Sequence, residues 1–233
     1  MTWLWIGLAV SAVLAFLLRA YLMLRAPRGR EGRALIGELS DQTSADPETG
    51  AVRSIQEADL LIKAEEIEEI WTPMHLERLA RTYWRFLTRV TLGLIRVRYS
   101  DQGRSVVLLG APLRLLTFKA PEYEMNASHG LVRWRIERGL LVARPGRDGD
   151  GYLQIEVSRH PGEEEGRALL HVVVSVVNFY PSIASGLGLR LYNITQSRIH
   201  VIVTYGFLRS LARLDLEESR VGQLAKAEDL PPS

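Results

Sequence analysis

The chain contains no cysteine, which removes disulfides, thiol nucleophiles, iron–sulfur clusters and thiolate zinc sites from consideration. Its five histidines, His75, His129, His160, His171 and His200, show neither HxxxH nor HExxH spacing. No carboxylate cluster accompanies them in sequence, so neither a metal centre nor a cofactor is expected. There is no Walker loop, no GxGxxG and no GxSxG elbow, which leaves nucleotide hydrolysis and serine-hydrolase chemistry without support. Charge of one sign is lacking too. The 29 lysines and arginines against 27 acids leave a formal net charge of +2, and no nucleic-acid partner is implied.

What is present, first of all, is an apolar start. Residues 2–18 carry no charge and reach about 25 Å as a helix; continued to Leu24 past a snorkelling Arg19, the run reaches about 34 Å, enough to cross a bilayer. A transmembrane anchor is therefore expected over residues 1–25. Arg19, Arg25, Arg28, Arg30 and Arg33 follow the run and no basic residue precedes it. The positive-inside rule then puts the N-terminus outside and the remaining chain in the cytoplasm. A cleaved signal peptide ending near Ala15 is the alternative, against which stand the missing basic n-region and the trailing arginines.

Residues 26–51 mix Arg, Gly, Pro, Ser, Asp and Thr and read as a basic juxtamembrane linker. Residues 53–71 are acidic and helix-favouring, with Ile55, Leu60, Ile62, Ile67 and Ile70 among the carboxylates. Thr72-Pro73 then marks an N-cap and first turn, and a second helix is expected from 73 to about 96. Together residues 52–98 read as a charged helical hairpin.

From Gly103 the texture changes, and residues 99–219 read as an antiparallel α+β domain. Short apolar runs occupy 106–109 and 113–119, and residues 131–137 alternate Val132, Trp134 and Ile136 against Arg133, Arg135 and Glu137, the period of a half-buried strand. After the turn at 145–151, residues 152–158 alternate again, and the β-branched stretch 168–179 predicts a central strand. Residues 189–216 combine strand propensity at 199–204 with helical spacing of Leu191, Ile194, Ile202, Tyr205, Leu208 and Leu211; one long C-terminal helix is the reading adopted, with a strand over 199–205 left open. The tail, 220–233, reads as flexible.

The clearest charged constellation is on the second helix, where Arg78, Arg81, Arg85, Arg89 and Arg96 share one face opposite Leu79, Tyr83, Phe86, Leu87, Val90 and Leu94. Such a face suits anionic lipid at the inner leaflet; alternatively it pairs with the acidic helix before it. Trp134, His171, Tyr180, His200 and Tyr205 are the candidate ligand-contacting residues, because each carries a polar atom within or beside an apolar run, where it must find a partner or line a cavity.

Residues 178–192, Asn-Phe-Tyr-Pro-Ser-Ile-Ala-Ser-Gly-Leu-Gly-Leu-Arg-Leu-Tyr, followed by Ile199-His200 and residues 206–211, resemble the closing block of START-like helix-grip proteins, a superfamily that includes polyketide cyclases. The resemblance covers residues 105–216 in order of elements and implies a last strand leading through a Pro/Gly loop into a long helix laid across an antiparallel sheet. Between sheet and helix it implies a cavity for apolar ligands such as lipids, sterols or polyketides. It transfers no catalytic residue. The chain departs from that pattern at its front, where two helices precede the sheet with no evident strand ahead of them.

The expected function is a membrane-anchored cytoplasmic domain that binds or transfers a hydrophobic ligand, a lipid, at the inner leaflet, through a pocket of several hundred Å³, the usual order for small-molecule sites. One alternative is a membrane-tethered assembly module that recruits a protein partner through the helical hairpin. Another is a cyclase- or isomerase-like enzyme, which needs a titratable pair converging in the void.

Overall fold

The computed structural model describes residues 29–100, 103–108, 113–162, 164–182, 201 and 203–218. The expected anchor, His200, the tail and the first part of the expected C-terminal helix lie outside these residues. Among the described residues no helix is long and apolar enough to cross a membrane.

The scaffold is one antiparallel sheet of ten strands. A first hairpin unit comprises β1 (Gly29–Glu31), β2 (Ala34–Ala45) and β3 (Val52–Lys63). Two helices follow, α1 (Ala64–Ile70) and α2 (Pro73–Val90). The meander then runs through β4 (Ile95–Ser100), β5 (Gly103–Leu108), β6 (Arg114–Lys119), β7 (Glu122–Met125), β8 (His129–Arg138), β9 (Tyr152–Pro161) and β10 (Arg167–Phe179). Across the sheet the order is β1-β2-β3-β10-β9-β8-β6-β5-β4, with β7 paired to β8 off this path. The closing helix, α3, is described at residues 201 and 203–212, so the described part of 199–205 is helical rather than strand. Its Val203, Phe207, Leu208, Leu211 and Ala212 are buried in one core with Tyr83 and Trp84 of α2 and the inward side chains of the sheet. An antiparallel sheet holding a C-terminal helix against its inner face is the α+β helix-grip architecture.

The front of the chain departs from the sequence reading. Residues 53–63, expected as helix, form most of β3. Their inward positions, Val52, Ser54, Gln56, Ala58, Leu60 and Ile62, are buried at a strict period of two. Two of these six are polar, which hides the alternation from hydropathy. The fold satisfies them across the sheet: the hydroxyls of Thr43 and Ser54 lie 2.8 Å apart, and Gln56 Nε2 donates to Ser54 Oγ and Asp41 Oδ1, each at 2.9 Å. The residues read as linker contribute β1 and β2, so strands do precede the helices. Only residues 64–70 of the acidic stretch are helical, and the charged hairpin is replaced by a short α1 and a long α2.

α2 starts where Thr72-Pro73 indicates, with Thr72 accepting from the His75 amide. It stops at Val90 rather than near residue 96, because Leu92 and Gly93 take φ of 53° and 80° and reverse the chain into β4. In the centre, β10 pairs with β3 on one side and β9 on the other, as its β-branched run predicts.

A bulge near the end of β10 decides what enters the core. Val176 pairs with Ser54 and Phe179 with Val52, three residues against two, with Asn178 at φ 51°. The extra residue switches the parity of the strand, so Phe179 turns inward after Leu170, Val172 and Val174. Asn tolerates this left-handed conformation and a β-branched residue does not. Asn178→Val should therefore destabilise the protein by about 1–2 kcal/mol, and Asn178→Gly by well under half of that, measured by denaturant unfolding. Equal losses in both variants would contradict the bulge.

Candidate ligand cavity

The inner face of the sheet does not fill completely beneath the helices. A cavity of about 170 Å³ lies over Leu153, Val176 and Phe179 of β9 and β10 and under Tyr83, Trp84 and Leu87 of α2, with Val203 of α3 closing one side. Ile95, Leu115 and Leu141 continue it towards the end of the sheet where β4 and β6 begin. A void of about 150 Å³ with apolar walls accepts a benzene-sized group and stays dry, so the volume is smaller than the several hundred Å³ expected.

The cavity has one aromatic end and one polar corner. Trp84 meets Trp134 edge to face at 5.2 Å and packs against Phe118 at 5.4 Å, and Tyr83 meets Phe207 of α3 at 6.0 Å. These contacts fix α2 over the sheet and make one wall rigid. At the opposite corner the paired hydroxyls of Thr43 and Ser54 border the void. Tyr83 is the one titratable group among the described lining residues. Burial pushes its phenol well above the usual tyrosine range, so it stays protonated.

Around the same end of the sheet, leucines point outward. Leu92, Leu94, Leu113 and Leu140 are 43–57% exposed. The backbone brings three of their segments together: Leu94 leads into Ile95, the partner of Leu108, whose amide donates to the Leu113 carbonyl, and the Leu140 amide donates to the carbonyl of Arg114. Their neighbours Ile95, Leu115 and Leu141 line the cavity. This apolar rim escapes sequence reading because its residues sit singly in three turns.

The candidate residues are distributed more widely than the sequence suggested. Trp134 is buried behind Trp84 and supports the aromatic wall without lining the void. His171 faces the other side of the sheet, where Nδ1 lies 2.7 Å from Asp59 Oδ1 on β3; its neighbours Leu170 and Val172 take the inward positions. Tyr180 follows the bulge, packs against Gly146 and accepts from the Ala143 amide through its carbonyl. Tyr205 is half-buried on α3 and lies outside the lining. His200 is outside the described residues. The residues that do line the cavity, Thr43, Ser54, Val176 and Phe179 among them, were legible only once β2, β3 and the bulge were placed.

The arginine face is largely closed by the chain itself. Arg78 donates to the carbonyls of Glu217 and Leu216 at 2.8 and 3.3 Å. Arg85 lies 3.1 Å from Glu217 and 3.5 Å from Asp215, and also donates to Ser210 Oγ. Thr82 Oγ1 accepts from the Glu217 amide at 2.9 Å. Arg81 pairs with Glu77 at 3.8 Å and lies over the Tyr99 ring, whose phenol is pushed up by burial against the opposing effect of Arg81 and Arg104. Arg89 and Arg96 remain exposed, and Arg96 donates to the Gly93 carbonyl. The acids that meet this face among the described residues come from α2 itself (Glu77) and from the strap after α3 rather than from α1, whose Glu66 and Glu68 pair with Arg33 and Arg159.

No family model matches the sequence, and no curated protein matches it. Among solved structures, human StAR-related lipid transfer protein 5 aligns over 90% of this chain and 99% of its own, at 11% identity and a TM-score of 0.36. CalU16 from Micromonospora echinospora aligns over 76% of this chain and 96% of its own, at 13% identity and a TM-score of 0.24. Human STARD10 aligns over 80% and 76%, at 6% identity and a TM-score of 0.29. At these scores the helix-grip assignment rests on the strand order and the placement of α3 described above.

Arg85 gathers the strap, and its side chain is only 17% exposed. Arg85→Met should cost about 2 kcal/mol, the usual contribution of charge-assisted hydrogen bonds, and should raise hydrogen exchange at the Glu217 amide. Arg96→Met, on the same helix face by sequence, should leave that amide unchanged.

Proposed function

We propose that this chain is a membrane-anchored module that takes up a hydrophobic ligand of the lipid class and hands it on at the inner leaflet. The observation that carries the reading is the apolar cavity under α2 and α3, whose lining residues Ile95, Leu115 and Leu141 lie one or two positions from a set of exposed leucines. An exposed apolar rim of this kind suits an apolar partner surface, and a void of this volume takes an acyl segment or a ring rather than a whole lipid. The anchor belongs to the same reading. The uncharged run of residues 2–18 and the arginines after it would hold the cavity close to the leaflet, N-terminus outside and sheet in the cytoplasm.

The ligand test is native mass spectrometry of the full chain after gentle extraction. A lipid-sized adduct is expected on the wild type. Val176→Phe places a ring in the void and should lower the bound fraction about tenfold, with the fold retained because the added volume enters empty space. A wild-type protein free of any adduct would favour a tethered assembly module that uses the leucine rim for a protein partner. Topology is tested separately: Ser233 should be protected from protease in intact cells, and the chain should keep Met1 or Thr2 at its N-terminus. A mature form starting near Ala15, or digestion of the C-terminus from outside, contradicts the anchor.

A further inference from the structure

The sheet has a seam between β6 and β8. The central ladders are long: β10 is in register with β3 over residues 167–176 and with β9 over residues 168–177. β6 meets β8 in two registered pairs, Thr117 with Arg138 and Phe118 with Ile136, and the register shifts between them. The earlier part of the same edge of β8 is taken by β7, from Gly130 to Arg133, so β8 changes partner around Trp134. Two backbone bonds extend the seam, from the amides of Leu140 and Leu141 to the carbonyls of Arg114 and Leu115, each at 3.0 Å. β4, β5 and β6, by contrast, are paired with one another along their lengths, from Ile95–Leu108 to Ser100–Gly103 and from Gly103–Lys119 to Val107–Arg114. The chain enters this three-strand unit through the reversal at Leu92 and Gly93 and leaves it through Ala120-Pro121. Short links of this kind are where hinge motions are taken up.

The unit is one wall of the apolar cavity, to which it contributes Ile95, Val106, Leu115, Leu116 and Phe118. Two contacts hold it against α2. Phe118 packs on Trp84 at the seam itself, at 5.4 Å, where a ring contact can serve as a pivot. Towards the other end of β4, the ring of Tyr99 lies 5.4 Å from the Arg81 guanidinium of α2 and 4.5 Å from that of Arg104 on β5. The Tyr99 residue is 39% exposed, and a cation–π contact at such a site is a weak latch. We propose that β4, β5 and β6 swing as one flap about the seam with β8, and that this motion admits the hydrophobic ligand to the cavity. The inference rests on the ligand reading given above and adds its route of entry. An apolar void exchanges its occupant only when a wall parts. Opening the seam breaks two registered pairs and the two bonds beside them, whereas parting β9 from β10 would break the whole ladder over residues 168–177.

The chain has no cysteine, so the test introduces them in pairs into the full chain. Thr117→Cys with Arg138→Cys bridges the seam at a registered pair, where the Cα spacing of about 4.5–5.5 Å suits a disulfide. Arg98→Cys with Ser105→Cys places the same bridge within the flap. Two rates are read in neutral detergent, with each variant oxidised and reduced. One is hydrogen exchange at the amides of Leu140 and Leu141 against those of Val172 and Val174 in β10. The other is the exchange of fluorobenzene, a probe of the size such a void accepts, from fluorine NMR line widths. In wild type the seam amides should exchange at least tenfold faster than those of β10. The seam disulfide should slow both the seam amides and fluorobenzene about tenfold or more, the disulfide within the flap should change neither, and reduction should restore wild-type values. Tyr99→Leu, which removes the latch, should speed both rates about threefold. Seam amides as protected as those of β10, or equal slowing by the two disulfides, overturn the flap. A fluorobenzene rate untouched by the seam disulfide overturns the entry route. Fluorobenzene that binds no form of the protein counts against the ligand reading of the cavity, and seam amides that still respond to the disulfide then sustain the flap without it.

Discussion

The structure depends on Trp84 more than on any other side chain. It is 3% exposed and touches Tyr83 on its own helix, Phe118 on β6 and Trp134 on β8. An aromatic residue of this size contributes a large buried area and fixes orientation as well as distance. Through Tyr83 the same cluster reaches Phe207 and thereby α3. The two long helices and the far half of the sheet are therefore held by one group of rings, and the cavity is the space that those rings leave on the side of β9 and β10. Its position follows from their bulk.

How much of this the sequence reveals depends on which face each residue uses. Residues 131–137 and 168–179 read correctly as strands because their inward positions are apolar without exception up to the bulge. β3 does not, since Ser54 and Gln56 occupy inward positions and their hydrogen-bond partners, Thr43 and Asp41, lie in a stretch that reads as linker. Only the pairing of β2 with β3 makes either segment intelligible, and pairing is a long-range property that local propensity does not contain. The candidate site suffered in the same way. His171 is one position away from the inward face of β10, and a period-two element turns a one-residue ambiguity into the opposite side of the sheet.

The arginines of α2 illustrate a different limit. A helical wheel places Arg78, Arg81 and Arg85 together, and the structure agrees, but a wheel is silent about what covers the face. The cover comes from residues 215–217, 130 to 139 positions later. It satisfies the cations through backbone carbonyls as well as through the carboxylates of Asp215 and Glu217, so the acids of the strap by themselves do not reveal which arginines it covers. At the seam between α2 and α3, Gly206 sets how closely the helices approach, since a Cβ there would meet the Phe86 ring.

At the far edge of the sheet, β4 alternates Ile95 and Val97 inward with Arg96 and Arg98 outward. Its unpaired backbone groups would otherwise be a template for another strand. A second copy approaching edge to edge would bring two rows of guanidinium groups face to face, and the repulsion opposes that union. Wherever copies of the chain are crowded together, this repulsion favours separate sheets over a continuous one.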